Sequence, residues 1–196
     1  MGSMEWLLAA EWIAYGALHS ILASTVVKKQ LKRWMGQGYR FYRLLYSTLA
    51  LLLLIPMIHI LLFHPSSYLW EPATIMKISG ICISLTGLLL AAYVLRRYLR
   101  SPEGLKDVFM EGETPALQTN GLHRWVRHPL YLFTFIMLWG AFLYKPTMAM
   151  LITNIVITLY TLVAIQFEET KLLVMYGEAY QEYKKKVPAI LPRWPF

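Results

Sequence analysis

Between Gly121 and Tyr131 the chain reads Gly-Leu-His-Arg-Trp-Val-Arg-His-Pro-Leu-Tyr, which sets two imidazoles, two guanidiniums and a phenol at the polar start of an apolar segment. Ionisable groups at a membrane boundary are costly to bury and usually have a task. The fork of Arg127 suits a carboxylate. His128 can donate or accept a proton near neutral pH. Pro129 fits the first turn of a helix, and the free N–H groups there also favour an anion. Interface anchoring explains the same residues without chemistry, with arginine reaching for headgroups and Tyr131 in an aromatic belt. Further on, a second apolar segment ends in Glu168-Glu169. Adjacent acids at a helix end are often only a solvated boundary. If this acidic pair meets the cationic cluster on one side of the membrane, the two would hold a zwitterion by its carboxylate and its ammonium.

A second polar set lies in the first apolar block. Glu11, Tyr15 and His19 are spaced four apart and so lie along one face of a helix. They would line a cavity, relay protons or hydrogen-bond between helices. His59 and His64 read as interface residues. Cys82 is the only cysteine, which excludes an intramolecular disulfide and a cysteine-based zinc site, and it reads as a buried small hydrophobe. No HExxH or comparable ligand spacing appears, so no metal is expected, and there is no GxGxxG or Walker sequence.

The elements that must position these groups are apolar helices. Of 196 residues, 57% are hydrophobic, in long blocks, and mean hydropathy is +0.45, too apolar for an ordinary soluble domain. The blocks are Met4–Val27, Tyr39–Phe63, Thr74–Leu95, Pro129–Tyr144 and Thr147–Phe167. Four are long enough to cross a hydrocarbon core of about 30 Å as helices, and Pro129–Tyr144 is slightly short. Tyr144-Lys145-Pro146 makes the last two a helical hairpin, and Pro56 kinks its helix or is absorbed by packing. Met1-Gly2-Ser3 reads as an expression scar, and the first block as a retained span.

The net charge of +8 belongs to residues beside the spans. Seventeen of the nineteen lysines and arginines fall within 28–43, 96–128 and the tail from Lys171 onward. This predicts the N-terminus outside and the C-terminus in the cytoplasm, with basic residues against anionic headgroups. No nucleic-acid motif is present, and nucleic acid is not an expected partner. Residues 99–126 read as a long functional loop. Glu168–Lys186 reads as an amphipathic cytoplasmic helix continuing the fifth span, weak at Gly177 and ended by Val187-Pro188. The expected fold is therefore an all-α integral membrane protein of five transmembrane helices, with a cytoplasmic loop before the fourth and an amphipathic C-terminal helix.

The ordered set Leu117-Gln-Thr-Asn-Gly121, Val126-Arg-His-Pro-Leu-Tyr131, Glu168-Glu169, Tyr176-Gly-Glu-Ala-Tyr180, Tyr183 and Val187-Pro188 resembles the isoprenylcysteine carboxyl methyltransferase superfamily over roughly residues 105–192. The resemblance implies S-adenosylmethionine as methyl donor, with S-adenosylhomocysteine as product. It implies one methyltransferase-like domain over 1–196, in which residues 1–98 supply three helices and residues 99–196 bind the cofactor. The implied donor contacts are His128, Pro129, Leu130 and Tyr131, then Pro115, Ala116, Leu117 and Gln118, and Glu168. His123 stands where the family has a tyrosine contact. Ala164 stands where the prenylcysteine enzymes carry a substrate arginine, which argues against a prenylcysteine carboxylate. On this view Arg127 and His128 hold the donor carboxylate or nearby polar groups, Glu168 its ammonium, and Tyr131 packs against it.

Leu18-His-Ser-Ile-Leu-Ala-Ser24 and Tyr42-Arg-Leu-Leu-Tyr46 are similar to a bacterial branch that includes methanethiol S-methyltransferase-like and nitrite-reduction-associated membrane proteins. That similarity implies a bacterial inner membrane and a small thiol or other compact nucleophile, with His19 and Arg43 as acceptor-side candidates beside Arg127 and His128. A thiol, carboxylate or amine acceptor stays open, as do the base and the oligomeric state. Two other readings remain: a sterol-reductase-like enzyme using NADPH, and a non-catalytic membrane accessory protein.

Overall fold

The computed structural model describes residues 2–100 and 116–192. Pro115 and most of the expected 99–126 loop lie outside them. Most of the described residues are helical, and none forms a strand beyond an isolated bridge between Tyr68 and Thr147. They form α1 (Ser3–Ala23), α2 (Thr25–Met35), α3 (Tyr42–Phe63), α4 (Thr74–Arg100), α5 (Pro129–Tyr144), α6 (Met148–Tyr176) and α7 (Glu178–Lys186), with short 3-10 turns at Gly36–Phe41 and Gly121–Arg124. α1, α3, α4 and α6 are long and apolar enough to cross a membrane. In α3 and α4 only 11% of the span is buried within the protein. Their apolar side chains therefore face outward, as suits lipid rather than water. α5 has 16 residues, about 24 Å at 1.5 Å per residue, short of a full hydrocarbon core.

The boundaries follow local chemistry. The expected first block stops early: Ser24 is extended, and its Oγ accepts a hydrogen bond from Val27 N–H at 3.3 Å, so a separate helix starts at Thr25. Pro56 sits inside an unbroken α3. Pro129 opens α5 as expected. The last span continues to Tyr176, where Gly177 (φ 56°) separates it from α7. Cys82 is exposed on α4 rather than buried, a soft apolar side chain on an outward face.

The chain divides into two compact units. Among described residues the first holds 2–71 and 146–157. Its core is Leu8, Trp12, Met57, Ile60 and Ala149. Trp12 Nε1 donates to Thr153 Oγ1 at 3.0 Å, and Tyr42 OH donates to the Leu22 carbonyl at 2.6 Å. Ser66 Oγ donates to Glu5 Oε1 at 2.8 Å and accepts from Ala149 N–H at 3.0 Å, so one hydroxyl serves a buried carboxylate and the first turn of α6.

The second unit holds 72–100, 116–145 and 158–192 among described residues. Within it α4 and α5 meet backbone to backbone. A Cβ at Gly80 would lie 2.5 Å from Tyr144 N, one at Gly87 2.4 Å from Met137 N, and one at Gly140 2.5 Å from Ser84 N. Small residues permit this approach, which replaces hydrophobic driving force with close van der Waals contact. The contact runs along α5 from Phe133 to Tyr144, just past the turn where the sequence signals converge.

Candidate active site

The second unit brings the Arg-His cluster and the acidic pair together. Arg127 and His128 precede α5, and Glu168 and Glu169 lie on α6. The backbone just before α5 is fixed by the chain leaving α7: Arg127 N–H donates to the Pro188 carbonyl at 2.9 Å, and His128 N–H to the Ala189 carbonyl at 3.0 Å. Val187-Pro188 thus ends α7, and Pro188 and Ala189 supply acceptors for donors that would otherwise lack them.

The two acids have different surroundings. Glu169 is 4% exposed. Its Oε1 accepts from Arg127 Nε at 2.8 Å, from Arg127 Nη2, and from His128 Nε2 at 3.3 Å. Its Oε2 faces Lys184 Nζ at 2.8 Å. Three basic groups thus satisfy one buried carboxylate, the condition for keeping a charge out of water. Glu168 has a side chain 46% exposed. Tyr131 OH donates to its Oε2 at 3.1 Å, and His128 Nδ1 approaches the same oxygen at 3.6 Å, too long for a hydrogen bond. His128 therefore lies between the closed acid and the open one, and its ring stacks on Tyr131 with centroids 5.6 Å apart.

Arg127 is bonded to several protein groups. Besides Glu169, its Nη1 donates to the Lys184 carbonyl at 3.2 Å and to the Val187 carbonyl. The guanidinium ties α5, α6 and the end of α7 together, and its side chain is 7% exposed. Its fork is spent inside the protein rather than offered to a ligand.

His123, in the tyrosine position of the resemblance, is half-buried. Its Nδ1 faces the Arg127 carbonyl at 3.2 Å, and since a carbonyl only accepts, Nδ1 carries the proton. Burial lowers its pKa. Its own carbonyl accepts from Tyr183 OH at 2.5 Å. Tyr183 and Tyr180 pack with Val187, Leu117, Leu172 and Tyr176, and burial pushes both phenols up to about 12, with the negative Glu169 adding to the effect on Tyr180. Leu117 faces this cluster, Ala116 and Gln118 are exposed, and Leu130 is half-buried behind buried Pro129.

Lys184 and Arg97 are site residues the sequence did not single out. Lys184 stood only as one of a basic run. The guanidinium of Arg97 lies 3.1 Å from where a Cβ would sit on Gly121, beside the 3-10 turn that carries His123. Its only sequence signal is its place among three arginines ending α4. His19 lies in the first unit, in a small open cleft also lined by Tyr15, Leu18, Leu22, Tyr46 and Leu49. Its Nε2 is 2.6 Å from Tyr46 OH, and its ring stacks on Tyr15 at 5.7 Å. Arg43 is in the first turn of α3.

A family model described as Phospholipid methyltransferase matches residues 75–179, more than half of the chain. The chain belongs to this family. The family's enzymes transfer methyl groups, and the match runs from α4 through the first residues of α7, so it includes Arg127, His128, Tyr131, Glu168 and Glu169 and stops before Lys184. Methanethiol S-methyltransferase of Crocosphaera subtropica is 30% identical, over 97% of this chain and 78% of its own length. Methanethiol S-methyltransferase 2 of Bradyrhizobium diazoefficiens is 29% identical, over 90% of this chain and 70% of its own length. Protein-S-isoprenylcysteine O-methyltransferase of Schizosaccharomyces pombe is 37% identical over 40% of this chain and 34% of its own length. The expected superfamily, its bacterial branch included, is borne out, and the chain is a membrane methyltransferase. No solved structure gave a significant match.

Proposed function

We propose that the chain uses S-adenosylmethionine to methylate a small thiol at the cytoplasmic face of a bacterial inner membrane. The observation that carries the donor assignment is the asymmetry of the acidic pair: Glu169 is saturated by Arg127, His128 and Lys184, while Glu168 stays open with Tyr131 and His128 converging on it. An open carboxylate fits an ammonium. Glu168 would hold that end of the donor, with Tyr131 orienting its carboxylate and His128 lining the pocket. Pro129, Leu130, Ala116, Leu117 and Gln118 would complete the walls, as the resemblance implies, with His123 in the tyrosine position. Pro115 belongs to the same proposed stretch.

S-adenosylmethionine, when bound, supplies an electrophilic methyl group on a sulfonium. The protein's task is then placement and exclusion of water, since displacement needs the nucleophile aligned at near contact. Arg127 acts here as a positioning residue: it holds Glu169, and through it the α6 turn that presents Glu168.

A thiol acceptor is favoured because similarity to the methanethiol enzymes runs nearly the length of the chain, whereas similarity to the isoprenylcysteine enzyme covers two fifths of it. Ala164 in place of the substrate arginine agrees with this. A thiol reacts as thiolate, so a base must take its proton or a positive field must favour the anion; of the acceptor-side candidates His19 could take the proton, while Arg43, always protonated, could only favour the anion. The proposed topology is five spans, with α5 joining the four long helices as the shortest, the N-terminus outside and the C-terminus in the cytoplasm.

The test is calorimetric titration of S-adenosylhomocysteine into detergent-solubilised protein. Loss of a charge-assisted contact weakens binding by roughly tenfold or more, so Glu168→Ala and His128→Ala should each do so. Unchanged affinity in both removes the donor assignment. Thermal stabilisation by NADPH instead of S-adenosylhomocysteine would favour the reductase reading.

A further inference from the structure

We propose that Arg97 receives the carboxylate of the methyl donor, so that the zwitterionic end of S-adenosylmethionine lies between Arg97 and Glu168. The assignment rests on the donor site proposed above. Arg127 is engaged by Glu169 and by the Lys184 and Val187 carbonyls. Lys184 is engaged by Glu169. A cation for the donor carboxylate must therefore come from elsewhere in the second unit.

Of the three arginines that end α4, Arg97 is placed against the 3-10 turn beginning at Gly121. Its Nη1 lies 3.1 Å, and its Cζ and Nη2 each 3.5 Å, from where a Cβ would sit on Gly121. Gly121 has φ 65°, a backbone that favours glycine, and the missing side chain leaves the guanidinium its place. The same turn carries His123, whose Nδ1 faces the Arg127 carbonyl. The next residue, His128, has its Nδ1 3.6 Å from Glu168 Oε2, which also accepts from Tyr131 OH. One short stretch, Gly121 to Tyr131, thus meets Arg97 at its start and Glu168 at its end. Both charges are felt at His123. Burial lowers its pKa first, the fields of His128 and Arg97 lower it further, and the Arg127 carbonyl and Glu168 raise it.

Both charges are open to a ligand. Arg97 is exposed, and the Glu168 side chain is 46% exposed. Among the described residues the Arg97 side chain makes no hydrogen bond, ion pair or ring contact. A guanidinium fork suits a carboxylate, and a carboxylate suits an ammonium. A ligand with both groups on one carbon satisfies the two together, as the amino-acid end of the donor does. Headgroup anchoring is the other use of an arginine at a helix end. It is equally open to Arg96 and Arg100, and it does not call for a guanidinium seated at Gly121.

The test titrates two ligands calorimetrically into the detergent-solubilised full chain. One is S-adenosylhomocysteine; the other is its decarboxylated analogue, which keeps the nucleoside, the thioether and the ammonium. The unsubstituted protein should bind the first roughly tenfold or more tightly. Arg97→Gln should bring S-adenosylhomocysteine down to the level of the analogue and leave the analogue's affinity unchanged, which also shows the pocket intact. Glu168→Ala should weaken both ligands, and Arg96→Gln neither. A preference for the carboxylate that survives Arg97→Gln, or is lost in Arg96→Gln, overturns the Arg97 assignment; the donor site still stands if Glu168→Ala weakens both ligands. Equal loss of both ligands in Arg97→Gln also overturns it, since the residue then acts on the pocket as a whole. Binding of neither ligand by the unsubstituted protein removes the donor site and the assignment together.

Discussion

Glu168 and Glu169 are adjacent and chemically the same, yet they should respond oppositely to substitution. Glu169→Ala leaves the buried Arg127 with carbonyl acceptors but no counter-charge, and breaking a buried pair in this way costs about 3–5 kcal/mol. Glu168→Ala removes a half-exposed acid and should leave thermal unfolding in detergent nearly unchanged while donor binding falls. The tyrosines and His123 add a pH dependence. The phenols of Tyr180 and Tyr183, raised to about 12, hold their protons more tightly folded than unfolded. Their contribution is complete below about pH 10 and is lost as pH rises toward 12. His123, whose pKa is lowered, contributes above its ordinary value near 6.5 and loses that contribution as pH falls below it. A thermal-unfolding profile in detergent should therefore decline on both sides, and Tyr183→Phe should flatten the alkaline limb. The sequence made both acids and both imidazoles legible as a group. It could not say which acid is open, because that depends on Lys184 and on the carbonyls of Lys184 and Val187 returning to Arg127 from far along the chain.

At the scale of elements, the helix starts at Thr74 and Pro129 and the break at Gly177 were readable from apolar runs, proline and glycine. α2 was not, because Val26 and Val27 extend the apolar run past Ser24. The signal that separates them is the capping serine followed by paired cations at four-residue spacing. The α4–α5 contact was equally hidden: Gly80, Ser84, Gly87 and Gly140 mean little until the two helices are known to face each other. Gly87→Ala should push the backbones apart and cost about 1–3 kcal/mol, read as a lower Tm in detergent. By contrast Ser79→Ala on α4 adds no atom and should cost little, since the half-buried hydroxyl bonds its own helix at the Ile75 and Met76 carbonyls. Because α5 carries Tyr131 and begins directly after His128, Gly87→Ala should also weaken S-adenosylhomocysteine binding although Gly87 is not among the proposed donor contacts.

For the whole molecule, the membrane character was evident from composition, and four long spans were found where apolar blocks predicted them. Sidedness belongs to charge rather than shape, so it is tested by labelling. In cells expressing a Cys82→Ser background, Lys145→Cys should react with a membrane-impermeant maleimide from outside, and Lys184→Cys only after permeabilisation. Reaction of both from one side would overturn the five-span topology. The backbone pairing of Arg127 with Pro188 and His128 with Ala189 also bears on biosynthesis. Those carbonyls leave the ribosome some sixty residues after the N–H groups they satisfy. A nascent chain with α5 and α6 already threaded into the bilayer therefore still lacks the pieces that shape its pocket. With the donor site as proposed, catalytic competence would arrive late in translation, after the helices are in place, and a polypeptide released before residue 188 should be inserted yet inert.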